Sequence, residues 1–170
     1  MLRKVREQEH SISILVNNQP GVLSRVGGVF GRHGYNIKSL CVAETTNPEV
    51  SRITLTSESD PDFTEKIKKQ LDKLVDVIDV SDVSGQSFVQ RELMLIGVTI
   101  KEGAYSEILR AIELFGCRIV TMTPDYFILE LTGQPDETAA FLKFFQSFGV
   151  EEINRTGLIT LQRTRPKRKV

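Results

Sequence analysis

The turn Asn18-Gln19-Pro20-Gly21 contains the residues of this chain that are best suited to binding a small molecule. It follows an alternating, strand-like segment and precedes a segment with helical spacing, so it lies where a strand passes into a helix. The first turn of a helix presents unpaired backbone N–H groups and the positive end of the helix dipole, which together can hold a carboxylate. Asn18 can donate and accept hydrogen bonds, and Gly21 has no Cβ to keep a ligand from the backbone. This combination suits a zwitterionic amino acid, although four such residues can also form a turn with no binding role.

Few other side chains could take part in catalysis or bind a metal: His10, His33, Cys41, Cys117, Asp76, Asp79 and Asp82. The spacing of the histidines and cysteines matches no zinc pattern. We expect His10 to face solvent at the start of a strand and His33 to cap the end of a helix. The three aspartates recur every three residues along a strand, so they point to different faces and do not form a catalytic pair. The sequence therefore predicts no catalytic residue, no metal site and no cofactor in this chain.

Composition favours a protein that binds over one that catalyses. The chain has 170 residues, 22 basic and 22 acidic side chains, and 40% hydrophobic residues. No apolar run reaches the ~20 residues of a membrane span, the polar start does not resemble a secretory signal, and lone thiols suit a reducing cytoplasm. Residues 161–170 carry five basic and no acidic side chains, so residues 1–160 carry 17 basic against 22 acidic, a net charge of −5. Net neutrality thus results from an acidic body and a basic tail.

Strand and helix patterns occur twice in the same order. The first half contains a strand, a helix, two strands, a helix and a strand: 10–16, 22–33, 36–44, 50–57, 61–74 and 75–80. The second half repeats that order: 91–100, 105–115, 117–123, 126–131, 141–148 and 151–162. This repetition predicts an α+β protein of two tandem ferredoxin-like βαββαβ domains.

The domain boundaries follow from this order. We predict a first domain over 8–84, a second over 85–162 that begins in the linker Ser84-Gly85-Gln86-Ser87, and a basic tail over 163–170. The tail is expected to be disordered in isolation, with docking onto a partner as the alternative. Gly27-Gly28 costs the first helix intrinsic stability, which suggests close approach of another backbone or subunit. In the second domain the turn that corresponds to Asn18–Gly21 reads Lys101-Glu102-Gly103-Ala104, so we do not expect it to bind the same ligand.

Several segments carry a family resemblance. They are 14–26 and 30–40, with further matches at 51–54, 70–77, 91–95 and Thr121, Pro124 and Asp125. Together they resemble the regulatory (small) subunit of acetolactate synthase, also called acetohydroxyacid synthase, whose amino-terminal half is an ACT domain. The resemblance covers nearly the whole chain and implies that residues 8–84 are that ACT domain.

The resemblance implies an accessory subunit without catalytic residues. In this family the small subunit binds a catalytic large subunit that uses thiamine diphosphate, Mg and FAD. The large subunit condenses pyruvate with pyruvate or 2-oxobutyrate at the start of branched-chain amino-acid synthesis. The small subunit raises that activity and makes it sensitive to feedback inhibition by valine, sometimes also by leucine or isoleucine.

The resemblance also implies a homodimer through the ACT domains, with the effector at the interface. It places one half of the site on the first turn and the other on the neighbouring subunit: Asn18, Gly21, Val22 and Leu23 on the first, Asn36 and Ile37 on the second. The two asparagines would give neutral polar contacts, and Val22, Leu23 and Ile37 would form apolar walls. One methylene in such a pocket is worth ~1–3 kcal/mol, so discrimination among branched side chains would be modest. Gln19-Pro20 stands where some relatives have an acidic residue and a serine, which leaves open the charge around the ammonium group.

Three other functions remain as alternatives. An acylphosphatase-like hydrolase would need an arginine in the first turn, whereas Arg25 falls inside the helix. A stand-alone amino-acid-sensing ACT protein would share the effector site but have no catalytic partner. A ligand-responsive nucleic-acid-binding regulator would use the basic carboxyl terminus, and salt-dependent binding to duplex DNA would reveal it. We expect no membrane association and no nucleic-acid partner.

Overall fold

The computed structural model describes residues 8–85, 87–101 and 103–164. The chain divides into two compact units, one containing residues up to 89 together with those from 158 onward, and the other Gln90–Gly157. The segment 159–162, which the sequence analysis places in the second domain, groups with the first unit. Most of the basic tail, 165–170, lies outside the described residues, so its expected disorder stays a prediction.

The first unit has the βαββαβ order that the sequence predicts. Its elements are β1 (Gln8–Asn17), α1 (Val22–Arg32), β2 (Ile37–Glu44), β3 (Val50–Ser59), α2 (Phe63–Leu71) and β4 (Val77–Asp82). The strands form an antiparallel sheet in the order β2-β3-β1-β4. Alternate residues of β1, Ile12, Ile14 and Val16, are buried against the helices. The sheet buries its apolar face under α1 and α2, and β2 and β4 form its two edges.

Two left-handed glycines delimit α1. Gly21 at its amino-terminal cap has φ +82° and Gly34, just past its carboxyl end, has φ +71°. His33 occupies the carboxyl-terminal cap, where its Nδ1 lies 2.9 Å from the Val29 carbonyl oxygen. The predicted capping role of His33 is therefore confirmed.

The expectation that His10 faces solvent is wrong. Its side chain is only 7% exposed, its ring lies 5.2 Å from that of Phe63, and Nδ1 is 3.2 Å from the Thr64 hydroxyl. Its Nε2 atom is buried without a hydrogen-bond partner among the described residues. Phe63 starts α2, and the helix covers the first residues of β1. A strand start is exposed only if no helix packs over it, and a local pattern does not carry that information.

The boundary of β4 differs from the predicted strand 75–80. Val75 is exposed, and hydrogen bonds from Leu74 N to Leu71 O and from Val77 N to Leu74 O form consecutive turns at this point. Val75 and Val77 both fit a strand pattern, but only Val77 belongs to β4, because the turns that follow α2 include Val75.

The second unit repeats the topology. Its chain segments are β5 (Phe88–Thr99), α3 (Tyr105–Phe115), β6 (Arg118–Met122), β7 (Tyr126–Gly133), α4 (Pro135–Phe145), a 3₁₀ turn (Gln146–Phe148) and β8 (Val150–Arg155). The sheet order is β6-β7-β5-β8. The last strand, β9 (Ile159–Gln162), groups with the first unit. Phe141 and Phe145 of α4 and Phe148 of the 3₁₀ turn are buried in one cluster with residues of the sheet, and Phe144 packs against that cluster. The predicted core role of these phenylalanines is confirmed.

The predicted strand 151–162 is in fact two strands. Thr156 exchanges hydrogen bonds with Leu93 through its backbone N–H, 3.0 Å from Leu93 O, and its hydroxyl, 3.1 Å from Leu93 N. Gly157 then adopts φ +78°, a left-handed conformation that ends β8. Gly157 lies at the break between the two strands, but apolar residues alternate on both sides of it, so the sequence pattern predicts one continuous strand.

Cys117 offers a chemical reporter for the second unit. Its thiol is buried, and burial raises its pKa from 9.0 to about 11. Only the thiolate reacts with alkylating reagents, and with that pKa roughly one molecule in a thousand is ionised at pH 8. In a Cys41→Ser background we expect iodoacetamide to leave native Cys117 unmodified at pH 8 and to modify it once urea unfolds the chain, as measured by mass spectrometry. Rapid alkylation without urea would contradict the burial.

Candidate functional site

The loop between β1 and α1 is held by backbone hydrogen bonds. Asn17 N donates to Asp76 O at 2.8 Å, Asn18 N to Glu49 O at 2.7 Å, and Val22 N to Gln19 O at 3.3 Å. The loop is thus tied to the chain before β4 and to the turn between β2 and β3. Its backbone is positioned by two neighbouring segments before any ligand is present.

The Asn18 side chain also joins this loop to β2. Its Nδ2 atom lies 3.0 Å from Glu44 Oε1 and 2.9 Å from the Pro48 carbonyl oxygen. A carboxylate and a carbonyl only accept hydrogen bonds, so both must face the NH₂ group. The amide orientation is therefore fixed, and Oδ1 remains as the polar atom that Asn18 can offer to a ligand. Sequence reasoning missed Glu44, which lies 26 positions further along the chain.

Gly21 and the start of α1 supply donors and positive potential. Arg25 N makes the first intrahelical hydrogen bond, to Gly21 O at 3.0 Å, and the preceding Leu23 and Ser24 amides have no acceptor within the described part of the chain. The first turn of α1 contains no acidic residue. A Cβ at position 21 would lie 3.0 Å from Arg25 Nη1, whose guanidinium also pairs with Asp76 at 2.8 Å. The helix end is thus a suitable receptor for a carboxylate.

The apolar residues next to Gly21 point in different directions. Val22 is 4% exposed and packs in the core, whereas Leu23 is 45% exposed. The expectation that Val22 gives an apolar wall is wrong for its side chain, because the helix rotates it onto the sheet. Leu23 remains available on the surface.

Asn36 and Ile37 lie at the opposite end of the sheet. Ile37 pairs with Ser57, which pairs with His10 near the start of β1, while Asn18 follows the last residue of β1. Asn36 is exposed and its carbonyl oxygen accepts a hydrogen bond of 2.7 Å from the buried Ser57 hydroxyl. Seven residues at ~3.3 Å each put the two halves of the predicted site roughly 23 Å apart. One subunit therefore does not bring them together.

β2 forms an exposed edge of the sheet. Its neighbour is β3 on one side only, and its apolar residues Leu40 and Val42 are 38% and 42% exposed. Leu40 pairs with Leu55 and Val42 with Ile53, so both lie on the face that carries the helices. An edge strand with unpaired backbone groups and exposed apolar side chains is suited to pairing with another strand.

A cavity of about 280 Å³ lies at the same edge. Cys41, Ala43 and Thr54 line it, together with Arg52, whose Nη1 donates to the Ser13 hydroxyl at 2.7 Å. These four residues alternate with those of the helix side, so the cavity opens on the other face of the sheet, and Glu44 at the end of β2 lies at its border. The part of the chain that the structure describes contains no group of three His, Cys, Asp or Glu side chains that could hold a metal ion. No helix within the described ranges is long and apolar enough to cross a membrane.

Comparison with known proteins agrees with this architecture. The first unit is an ACT domain: residues 12–79 match the model of the acetohydroxyacid synthase small subunit-like ACT domain. Residues 91–164 match the model of the small subunit of acetolactate synthase. The chain belongs to the family of acetolactate synthase small subunits.

Individual relatives match over almost the whole chain. The probable acetolactate synthase small subunit of Archaeoglobus fulgidus is 41% identical over 94% of this chain and 99% of its own length. The probable acetolactate synthase small subunit of Methanothermobacter thermautotrophicus is 41% identical over 91% of this chain and 92% of its own length. The crystal structure of the acetolactate synthase small subunit from Thermotoga maritima is 36% identical, covers 93% of this chain and 99% of that chain, and superposes with a TM-score of 0.84. The family and the α+β fold of two ferredoxin-like repeats predicted from the sequence are thus confirmed.

Proposed function

We propose that this chain is the regulatory subunit of an acetolactate synthase, which activates a catalytic large subunit and makes it sensitive to valine. Membership of the small-subunit family supports the proposal. Thiamine diphosphate, Mg and FAD would be held by the large subunit in the cytoplasm. This chain would contribute binding, assembly and regulation, with leucine and isoleucine as further candidate effectors.

The observation that best supports an effector site is the geometry of β2. If two copies pair their β2 strands antiparallel about the centre of Ile37–Glu44, Ile37 of one copy lies opposite Glu44 of the other. Glu44 contacts Asn18 at 3.0 Å. The pairing therefore brings Asn36 and Ile37 of a second copy to the Asn18 loop and removes the separation of roughly 23 Å within one subunit.

A branched amino acid fits the site that this pairing would create. The amino-terminal end of α1 would receive its carboxylate, and Asn18 Oδ1 would accept from its ammonium group. Leu23 and Ile37 of the second copy would contact the aliphatic side chain. In contrast to the sequence-based expectation, Val22 would take part only through its backbone.

The location of the site between subunits suggests how an effector could regulate the enzyme. A ligand that touches both ACT domains favours the dimer arrangement in which both halves are correctly spaced. If the large subunit engages another arrangement more productively, effector binding lowers its activity. The open positions beside Gly27 and Gly28, where a Cβ would meet nothing within 4 Å, leave room on α1 for such an approach.

Reconstitution tests this function. The chain is mixed with a catalytic acetolactate synthase subunit, and acetolactate formation is measured with and without valine. We expect activation by the chain and inhibition by valine. If neither activation nor inhibition is observed, the regulatory role is refuted. If valine binds to the chain but neither effect occurs, the chain is a stand-alone sensor instead.

The proposed interface gives a direct prediction for assembly. Val42→Glu would place a charge beside the partner strand, so we expect the dimer Kd to rise roughly 10- to 100-fold in sedimentation velocity. Ile78→Glu is the matched control, since Ile78 is 53% exposed on β4, the opposite edge of the same sheet. Dissociation by Ile78→Glu and not by Val42→Glu would assign the interface to β4.

A further inference from the structure

We propose that Glu44 recognises the ammonium group of the effector and makes the site select amino acids over the 2-oxo acids with the same carbon skeleton. The inference rests on the proposed function, since it concerns the effector site. It assigns a role to a residue that neither the motif of the first turn nor the family resemblance indicated.

The carboxylate of Glu44 lacks a counter-charge in the subunit. Its Oε1 accepts a hydrogen bond from the neutral Asn18 amide, and no Lys, Arg or His of the described residues lies within 4.0 Å of the carboxylate. Asp76, the other acidic residue that contacts the loop backbone, is by contrast paired with Arg25 at 2.8 Å. Glu44 is thus a negative charge next to the loop that still can bind a cation.

The face on which Glu44 lies is the one that the ligand would occupy. Glu44 pairs with Ser51, which pairs with Val16, whose side chain is buried in the core beneath the helices. Side chains on paired positions point to the same side of a sheet. By register, Glu44 therefore belongs to the side of α1; it ends the edge strand that the second copy would cover, where its side chain contacts Asn18 and also borders the cavity of Cys41 and Ala43.

The polarity of the site then matches that of a zwitterion. Asn18 lies between a positive and a negative group. The positive group is the amino-terminal end of α1, three residues further along the chain, and the negative group is the Glu44 carboxylate at 3.0 Å. Because Glu44 and Pro48 take both N–H groups of Asn18, its Oδ1 provides a second acceptor. The carboxylate of an amino acid would bind at the helix, and two of its three ammonium N–H groups would find acceptors in Glu44 and Asn18.

A 2-oxo acid would meet the same groups unfavourably. 3-Methyl-2-oxobutanoate has the carboxylate and branched side chain of valine, but a carbonyl oxygen in place of the ammonium group. That oxygen cannot donate, so it would face two acceptors, one of them charged. Sites built to bind a polar group reject analogues that lack it far more strongly than they distinguish aliphatic side chains.

The test uses Glu44→Gln in the full-length chain. Glutamine keeps an acceptor for Asn18, so the loop geometry is preserved and only the negative charge is removed. We expect calorimetry to show valine affinity reduced roughly 10- to 100-fold, the usual value of a charge-assisted hydrogen bond. Binding of 3-methyl-2-oxobutanoate should be unchanged or stronger, so that the ratio of the two affinities falls by at least the same factor.

Two controls make the result specific. Glu49→Gln removes an equal charge from the adjacent turn, where the Glu49 side chain is exposed, and should leave valine affinity nearly unchanged. The thermal unfolding midpoint of Glu44→Gln should match that of the wild type. If Glu44→Gln binds valine normally, or if both variants lose affinity equally, the inference is overturned. If the wild-type chain itself binds no valine, the proposed function fails first.

Discussion

Subunits that carry Asn18→Ala and subunits that carry Asn36→Ala are expected to bind valine after mixing, although neither variant binds it alone. In the Asn18→Ala homodimer both sites would lack Asn18, and in the Asn36→Ala homodimer both sites would lack Asn36. A mixed dimer would combine the intact Asn18 loop of one copy with the intact Asn36 of the other, which restores one complete site. In an equal mixture with random exchange, we expect about one quarter of the wild-type number of sites in calorimetry.

Asn18→Ala also removes the hydrogen bonds to Glu44 and Pro48, so a loss of binding in this variant alone has more than one explanation. Complementation excludes a simple folding defect, because a misfolded loop would not recover on mixing. Mixing Asn18→Ala subunits with each other after the same exchange step is the control. If both variants lose binding and mixing restores none, the site does not combine residues of two copies. If Asn36→Ala alone binds valine as the wild type does, Asn36 is not part of the site.

The architecture followed from the sequence because its signals are local. Ile12, Ile14 and Val16 alternate, Phe63, Ile67 and Leu71 recur at helical spacing, and Gly34 and Gly116 end helices in left-handed conformations. Such patterns depend on residues less than about one helical turn or one strand apart. The repeated order of elements then restricts the topology to the ferredoxin-like arrangement in both halves.

The site could be predicted only in part because its contacts join distant segments. The motif Asn18–Gly21 is contiguous and was recognised, but Glu44 comes to Asn18 only through the pairing of β2 with β3 and β3 with β1. The outward direction of Leu23 and the inward direction of Val22 depend on the rotation of α1 over the sheet. Similarly, His10 is buried because α2, more than fifty residues later, packs over it. No pattern along the chain encodes the contact of Glu44 or the burial of His10, whereas the helical spacing of Val22, Val26, Val29 and Phe30 does mark the buried side of α1.

The second unit contains a buried ion pair that sequence reasoning also missed. The Glu92 side chain is 7% exposed, and its carboxylate accepts from Arg155 Nη2 at 2.5 Å, from Arg155 Nε at 3.2 Å and from the Thr138 hydroxyl. These residues join β5, β8 and α4. The Thr138 hydroxyl also contacts the Pro135 carbonyl oxygen at 3.0 Å, at the start of α4. The cluster therefore holds the helix to the sheet through one carboxylate.

The two members of this pair differ in what their loss leaves behind. Arg155 is 43% exposed and can be hydrated without Glu92, whereas Glu92 without Arg155 is a buried charge. We expect Arg155→Met to lower the free energy of unfolding of the second unit by about 2–4 kcal/mol, and Glu92→Gln, which keeps an acceptor for Thr138, by about 1 kcal/mol. The double variant should be more stable than Arg155→Met alone, because it contains no buried unpaired charge.

Alkylation of Cys117 during urea titration in the Cys41→Ser background measures these differences in the second unit, since the thiol reacts only after unfolding. Arg118→Met serves as the matched control in the same unit. It breaks an ion pair of 3.9 Å to Glu130 in which the Arg118 side chain is exposed, and should cost a few tenths of a kcal/mol at most. Equal losses for Arg155→Met and Arg118→Met would show that Glu92 is hydrated in the native state. A double variant less stable than Arg155→Met would show that the carboxylate contributes to packing independently of its partner. If Arg155→Met is instead the least stable of the three variants, as expected, Arg155 neutralises the buried Glu92 carboxylate that joins α4 to the sheet.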